Sequence, residues 1–264
     1  MSGIGHFLEI SVQTHDVAES LSFYKTLGFN ELQTGDIWSH KYGVVSDGAL
    51  CIGIHDREFD SPALTFVQHD LARHARSMAD HGFDFSFMHL DEESFNEIGV
   101  NDRDGHLITM VEARTFHADE ENDDDSACGT WFEFTLPVRD AMRAAQFWGP
   151  VAGAILTMRE EPTVHMRFDA GGVALGLSES IALEQPSLCF KCHDKPALKQ
   201  LVKARGLAYT KFPGFEGAFG VLTAPEGTQL YVFDEDFLGE PIEVDEDVDP
   251  DEIDEIDEIK KKFR

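Results

Sequence analysis

The stretch HDVAESLSFY at His15–Tyr24 recurs 124 positions later as RDAMRAAQFW at Arg139–Trp148. The same offset relates a second pair of segments, FVQHD at Phe66–Asp70 and FKCHD at Phe190–Asp194. A fixed period of this length indicates two copies of one folded unit. The chain of 264 residues is long enough to bury a separate core in each copy.

Each copy contains a shorter repeat, in which an aspartate follows an apolar strand and opens a helical pattern. Asp16 and Asp70 are 54 residues apart, and so are Asp140 and Asp194. Alternating apolar residues before Asp16 indicate a strand, and the apolar spacing between Asp16 and Gly28 indicates a helix. Three short strands separated by turns follow in each module. The sequence therefore predicts an α+β fold of four βαβββ modules, with module one paired to two and three to four.

Charge and hydropathy exclude several classes of partner. The formal net charge is −29, which should repel the phosphate backbone of a nucleic acid. No stretch approaches the roughly 20 apolar residues of a membrane helix, and the N-terminus lacks the pattern of a signal peptide. With only four cysteines, a disulfide framework is not expected. We therefore predict a soluble, cytoplasmic protein with no nucleic acid or membrane partner, as a monomer or a homodimer.

Acidic segments mark the predicted boundaries of the domains. Six of the seven residues at 119–125 are acidic, and so are fifteen residues within 234–258. We predict a first domain at 1–117, an acidic linker at 118–128, a second domain at 129–236 and an acidic tail at 237–264. An Asp-Pro pair, a run of acids and three lysines give the tail the charge order of a helix. The sequence leaves open whether this tail docks on the body of the protein, docks on a partner or is disordered.

The module order and three motifs resemble the vicinal oxygen chelate superfamily. The motifs are DVAESLSFYKTLGF at Asp16–Phe29, DRDGHLI at Asp102–Ile108 and PEGTQL at Pro225–Leu230. This superfamily includes glyoxalase I, bleomycin resistance proteins, methylmalonyl-CoA epimerase and extradiol dioxygenases. The resemblance covers about residues 5–236. It implies two glyoxalase-like open barrels, each built around a cavity.

The resemblance places a metal-ligand position of the first strand at Glu9 in one copy and at Glu133 in the other. Strand alternation should direct both side chains into the cavities, with Leu8 and Phe132 on the opposite faces. The remaining ligand positions of the superfamily fall on residues that do not complete a metal site, namely Ala63, Thr109, Ser187 and Tyr231. We therefore expect no cofactor. The alternative is a divalent metal ion with candidate ligands Glu9, His55, Glu133 and His165.

Glu9 and Glu133 are also the candidate catalytic residues. A carboxyl group in an apolar cavity should have a raised pKa and can act as a general base. Alternatively, each glutamate binds only a neighbouring backbone group or an arginine. Residues predicted to face the cavities and bind a ligand are Phe7, Thr109, Trp131, Cys189, Tyr231 and Phe233. Cys192, three positions after Cys189, should pack under the following helix.

These features favour a protein that binds a small organic ligand, as the bleomycin resistance branch of the superfamily does, without the complete family metal site. The alternative is a metal-dependent lyase, isomerase or dioxygenase that uses Glu9 or Glu133 together with histidines. A third hypothesis is an interaction module whose acidic tail binds a basic partner. Whether the protein is an enzyme stays open at this point.

Overall fold

The computed structural model describes residues 3–91, 95–117, 126–152, 155–160, 163–212 and 218–234. The first sheet contains β1 (His6–Gln13), β2 (Asn30–Leu32), β3 (Tyr42–Ser46), β4 (Cys51–His55), β5 (Ala63–Val67), β6 (Phe85–His89), β7 (Glu97–Asn101) and β8 (Leu107–Val111). The second contains β9 (Thr130–Pro137), β10 (Ile155–Arg159), β11 (His165–Ala170), β12 (Val173–Ser178), β13 (Ser187–Cys192), β14 (Tyr209–Thr210), β15 (Phe219–Thr223) and β16 (Gln229–Asp234). The helices are α1 (Val17–Thr26), α2 (Leu71–Asp80), α3 (Ala141–Ala152) and α4 (Lys195–Arg205).

The two sheets have the same strand order. The first runs β2-β3-β4-β1-β5-β8-β7-β6 and the second β10-β11-β12-β9-β13-β16-β15-β14. The central pairs β1–β5 and β9–β13 are antiparallel and join two different modules. The predicted α+β fold of four βαβββ modules, paired one to two and three to four, is therefore confirmed. The domain boundaries stay a prediction, because residues 118–125 of the linker and the whole tail at 237–264 lie outside the described residues.

Helix starts follow the sequence signals in two modules and depart from them in a third. Asp16 caps α1 by accepting hydrogen bonds from the backbone N–H groups of Ala18 and Glu19. Asp194 caps α4 in the same way through Ala197. Asp70 precedes α2 in a left-handed conformation with φ 55°, and its side chain makes no capping bond. None of the helices in the described ranges has the length and apolar character of a membrane span.

The largest core is shared by both halves and includes buried residues from each, such as Phe66 and Phe190. Two hydrogen bonds at positions related by the sequence repeat also join the halves. The Tyr24 hydroxyl donates to Oε1 of Glu226 at 2.6 Å, and Nε1 of Trp148 donates to Oδ2 of Asp102 at 3.2 Å. Each half thus inserts a carboxylate from a hairpin turn against an aromatic residue on the first helix of the other half. We call these two contacts the reciprocal clamps.

A β-bulge in each half corrects the predicted strand alternation. Phe7 pairs with Phe66 and Glu9 with Thr65, so Leu8 is an extra residue on β1. Trp131 likewise pairs with Phe190 and Glu133 with Cys189, so Phe132 is extra on β9. Because of the bulge, Phe7 and Trp131 pack against the shared core and do not face the cavities as predicted. Leu8 and Phe132, which we expected to pack against the helices, join separate clusters inside the two sheets.

Candidate functional site

Glu9 is held inside the first sheet by three hydrogen bonds. Its side chain is only 2% exposed. Oε1 accepts from the Ser11 hydroxyl at 2.8 Å and contacts Nε2 of His55 at 3.0 Å. Oε2 accepts from the Tyr42 hydroxyl at 2.5 Å. Both carboxylate oxygens therefore have partners, which is the condition under which a buried carboxylate is tolerated.

Glycine on the neighbouring strand makes room for each glutamate. Gly53 on β4 pairs with Ser11, and a Cβ at Gly53 would lie 2.1 Å from Oε1 of Glu9. Gly176 on β12 pairs with Thr135, and its Cβ would lie 2.5 Å from Oε1 of Glu133. An isolated glycine within a strand pattern is a known sign of close approach. These two glycines are the sequence signal of the site that the sequence analysis missed.

A chain of side chains leads from Glu9 to a half-buried histidine. Nδ1 of His55 contacts Nε2 of His40 at 3.0 Å, while Nε2 of His55 contacts Glu9. Burial, His55 and Arg57 lower the pKa of His40 to about 4, so this imidazole is neutral at pH 7. Burial and the Glu9 charge raise the pKa of Tyr42, so Tyr42 keeps its proton and donates. Glu9, His55 and His40 form a path for a proton, which we call the Glu9 relay.

A second carboxylate, that of Glu97, lines the same cavity as Glu9. Its Oε1 accepts from Nη1 of Arg57 at 2.6 Å and contacts Nδ1 of His89 at 2.9 Å. The Arg57 guanidinium lies 5.5 Å from the centre of the Phe87 ring. Arg57 follows β4 while Glu97 begins β7, and these strands are not neighbours in the sheet. Only the curvature of the sheet brings them together, so the sequence pattern did not predict this pair.

The cavity that Glu9 and Glu97 line is small. Its volume is about 30 Å³, which is room for roughly two water molecules. It brings together three of the predicted residues, Glu9, His55 and Thr109, whose roles stay predictions. The other lining residues are Leu8, Ser11, Trp38, Arg57, Phe59, Thr65, Phe87, Glu97, Leu107, Val111 and Thr115.

Glu133 occupies the equivalent place in the second half but has different neighbours. It is 4% exposed and contacts the Thr135 hydroxyl at 2.5 Å and Nε2 of His165 at 3.1 Å. Burial raises its pKa, but His165, Thr135 and Arg167 outweigh burial and leave the pKa below its ordinary value. The raised pKa that we predicted for this group is therefore wrong, because these partners stabilise the charged form.

Aromatic rings surround this second polar group. Tyr231 and Cys189 are buried in a cluster with Phe219, and Phe132 and Phe233 pack against it. The ring centres of Phe132 and Phe233 are 5.9 Å apart. Phe219 lies opposite Phe233 on the neighbouring strand of the second sheet. The equivalent pair in the first sheet is Glu97 and Val111. Cys192 packs in the shared core, on the face opposite Cys189.

Comparison with known proteins rests on the fold. Neither a protein-family model nor a curated protein matches the chain. The 2,3-dioxygenase LapB from Pseudomonas sp. KL28 has a TM-score of 0.60 at 12% identity, covering 95% of this chain and 97% of that one. An extradiol ring-cleaving dioxygenase from B. fuscum has a TM-score of 0.61 at 12% identity, covering 94% and 75%. A catechol 2,3-dioxygenase has a TM-score of 0.56 at 12% identity, covering 88% of both chains. The chain has the fold of the vicinal oxygen chelate superfamily.

This similarity contradicts the expectation that no cofactor is used, because extradiol dioxygenases are metal-dependent enzymes. The divalent metal ion that the sequence analysis kept as the alternative is the cofactor that this vicinal oxygen chelate fold implies. The residues present do not fit such an ion. In the part of the chain that the structure describes, no three His, Cys, Asp or Glu side chains are grouped so as to hold a metal. Glu9 and His55 are adjacent, but His40 contacts His55 and not Glu9.

Proposed function

We propose that the first half of the protein binds a small organic molecule beside Glu9 and exchanges a proton with it through the Glu9 relay. The observation that supports this proposal is the Glu9–His55–His40 chain at the wall of a cavity. Buried carboxylates and histidines in hydrogen-bond contact are the usual groups of general acid–base catalysis. The second half packs aromatic rings around Glu133 and serves mainly to support the fold.

Each residue of the relay has a distinct role in this proposal. Glu9 accepts a proton from an acidic group of the ligand and passes it to Nε2 of His55, which releases its Nδ1 proton to Nε2 of His40. His40 is neutral at pH 7 and accepts the proton from His55 or returns it, because its pKa of about 4 disfavours a lasting charge there. Tyr42 and Ser11 orient the carboxylate without leaving their protonated forms. Since the cavity is about 30 Å³, only one functional group of the ligand reaches Glu9.

Calorimetry with a neutral one-ring probe, benzyl alcohol, tests the proposal. The matched pair of variants is Glu9→Gln and Glu133→Gln, because the two glutamates share one register in the two halves. A hydrogen bond to a charged group contributes about 1.5–3 kcal/mol, so Glu9→Gln should weaken binding at least tenfold. Glu133→Gln should change it less than twofold. Equal effects of the two variants would refute the proposal.

The likeness to extradiol dioxygenases favours a second candidate, a metal-dependent lyase, isomerase or dioxygenase, for which Glu9 and His55 would supply two of the three protein ligands that a catalytic metal site usually has. Elemental analysis of untagged protein tests it directly. Iron, manganese, nickel or zinc in near-equal ratio to protein, retained in Glu133→Gln and lost in Glu9→Gln, is the expected result for this candidate. Metal that is retained in both variants would mean that Glu9 is not a ligand.

A further inference from the structure

A large cleft separates the two halves at one end of the first sheet. Its volume is about 840 Å³, within the range of about 300–1,000 Å³ that is usual for ligand sites. The first half lines it with residues 13–16, Glu19, 59–62 and 105–107, and the second half with 185–186 and 225–228. Both halves therefore build the cleft, and Glu226 takes part in both a reciprocal clamp and the lining.

The cleft adjoins the Glu9 cavity. Phe59 and Leu107 line both of them, so these two side chains form the wall between the large and the small compartment. Phe59 lies on the segment between β4 and β5, with its ring centre 5.8 Å from that of His55. It is half-buried, whereas Leu107 is buried within β8. Movement of one ring on a loop would join the two compartments.

The lining of the cleft is negatively charged. Four carboxylates border it, from Asp16, Glu19, Asp60 and Glu226, and among its described lining residues none is Lys or Arg. The inner cavity adds Glu9 and Glu97 and one guanidinium, Arg57, which is paired with Glu97 at 2.6 Å. A ligand that approaches Glu9 through the cleft therefore meets a negative field along its whole path. Such a field concentrates cations and repels anions.

We propose that the cleft is the outer compartment of the Glu9 site and that the ligand is a small organic amine in its ammonium form. The body and the positive charge lie in the cleft, and the functional group that exchanges a proton passes Phe59 to reach Glu9. This inference rests on the proposed function for the inner compartment. It explains how a cavity of about 30 Å³ serves an organic ligand, because 840 Å³ of adjoining space receives the remainder.

Three probes of equal size and different charge test the ligand class, namely benzylamine, benzyl alcohol and benzoate. Calorimetry at pH 7 and about 0.01 M salt should rank their affinities in that order, with benzylamine bound at least tenfold more tightly than benzoate. Raising the ionic strength to about 0.15 M shortens the screening length from about 30 Å to about 8 Å, so the difference should shrink. Benzoate bound as tightly as benzylamine would overturn the inference.

Variants on one loop locate the effect. Asp60→Asn should weaken benzylamine binding two- to fivefold, as expected for one exposed ionic contact of about 0.5–1 kcal/mol, and leave benzyl alcohol unchanged. Glu58→Gln is the matched control, because Glu58 is an exposed acid on the same loop that does not line the cleft. Phe59→Trp should slow association of all probes. Equal effects of Asp60→Asn and Glu58→Gln would count against the cleft as the outer compartment.

The two proposals fail in different ways. If Glu9→Gln abolishes benzyl alcohol binding while benzoate binds as well as benzylamine, the proposed function stands and the inference about the cleft is wrong. If Asp60→Asn weakens benzylamine while Glu9→Gln changes nothing, the cleft binds amines and the role of Glu9 is wrong.

Discussion

Gly53→Ala should destabilise the protein by displacing Glu9. A Cβ at this position would lie 2.1 Å from Oε1 of Glu9, and real Cβ atoms do not approach so closely. That oxygen has two hydrogen-bond partners, Ser11 at 2.8 Å and His55 at 3.0 Å. Each hydrogen bond to a charged group contributes about 1.5–3 kcal/mol. Alanine regains about 0.4–1 kcal/mol by restricting the unfolded chain. The net loss from the two bonds is therefore about 2–5.5 kcal/mol.

Thermal unfolding followed by circular dichroism measures this loss. For a chain of this size, the Tm should fall by roughly 4–22 °C. Gly3→Ala is the control, because Gly3 is exposed and a Cβ there would meet only the carbonyl oxygen of Val151 at 3.8 Å, an ordinary contact, so the Tm should change little. The decisive measurement is Gly53→Ala in a Glu9→Ala background, where the cost should disappear because the displaced carboxylate is gone. An unchanged cost in that background would refute the reasoning.

Three further outcomes are expected. Tyr24→Phe removes the donor of one reciprocal clamp, so Glu226 loses its shortest hydrogen bond. The unfolding free energy measured in urea should fall by about 1.5–3 kcal/mol. An unchanged urea midpoint would contradict this. Trp148→Phe should cost more, since it removes both the Asp102 contact and part of a fully buried ring. The pKa of His40 is about 4 in the folded protein against an ordinary 6.5, so the unfolded chain binds the proton more tightly. The stability that His40 contributes is complete above pH 6.5 and is lost as the pH falls toward 4. Urea unfolding at pH 7 and pH 5 should therefore show a smaller pH dependence in His40→Gln than in the unsubstituted protein, and an identical dependence would contradict the assignment.

The two halves show how one repeated pattern leads to unequal sites. Glu9 and Glu133 share a register, a facing glycine and a histidine partner. In the first half, Glu97 lies at the edge of the cavity. The second half has Phe219 at the equivalent strand position. Glu97 lines the Glu9 cavity, whereas Phe219 packs with Cys189 and Tyr231 in an apolar cluster beside Glu133. The sequence analysis named both glutamates as candidate catalytic residues, because the repeat itself does not distinguish them.

Several features of this protein followed from local sequence alone. The repeat determined two similar halves, strand and helix periodicity determined the module order, and Asp16 and Asp194 determined where their helices start. These signals are local, because each depends on residues within a few positions of one another.

Tertiary structure decided which side chains meet. The bulges at Leu8 and Phe132 arise from pairing with strands more than fifty residues away, and they reverse the face of Phe7 and Trp131. The contact of Arg57 with Glu97, the relay through His40 and the cleft between the halves likewise join segments that are distant in the chain. Periodicity fixes the direction of a side chain only while strand pairing stays regular. Closure of the sheet and docking of the halves are set by the packing of the whole chain, so no local pattern could predict them.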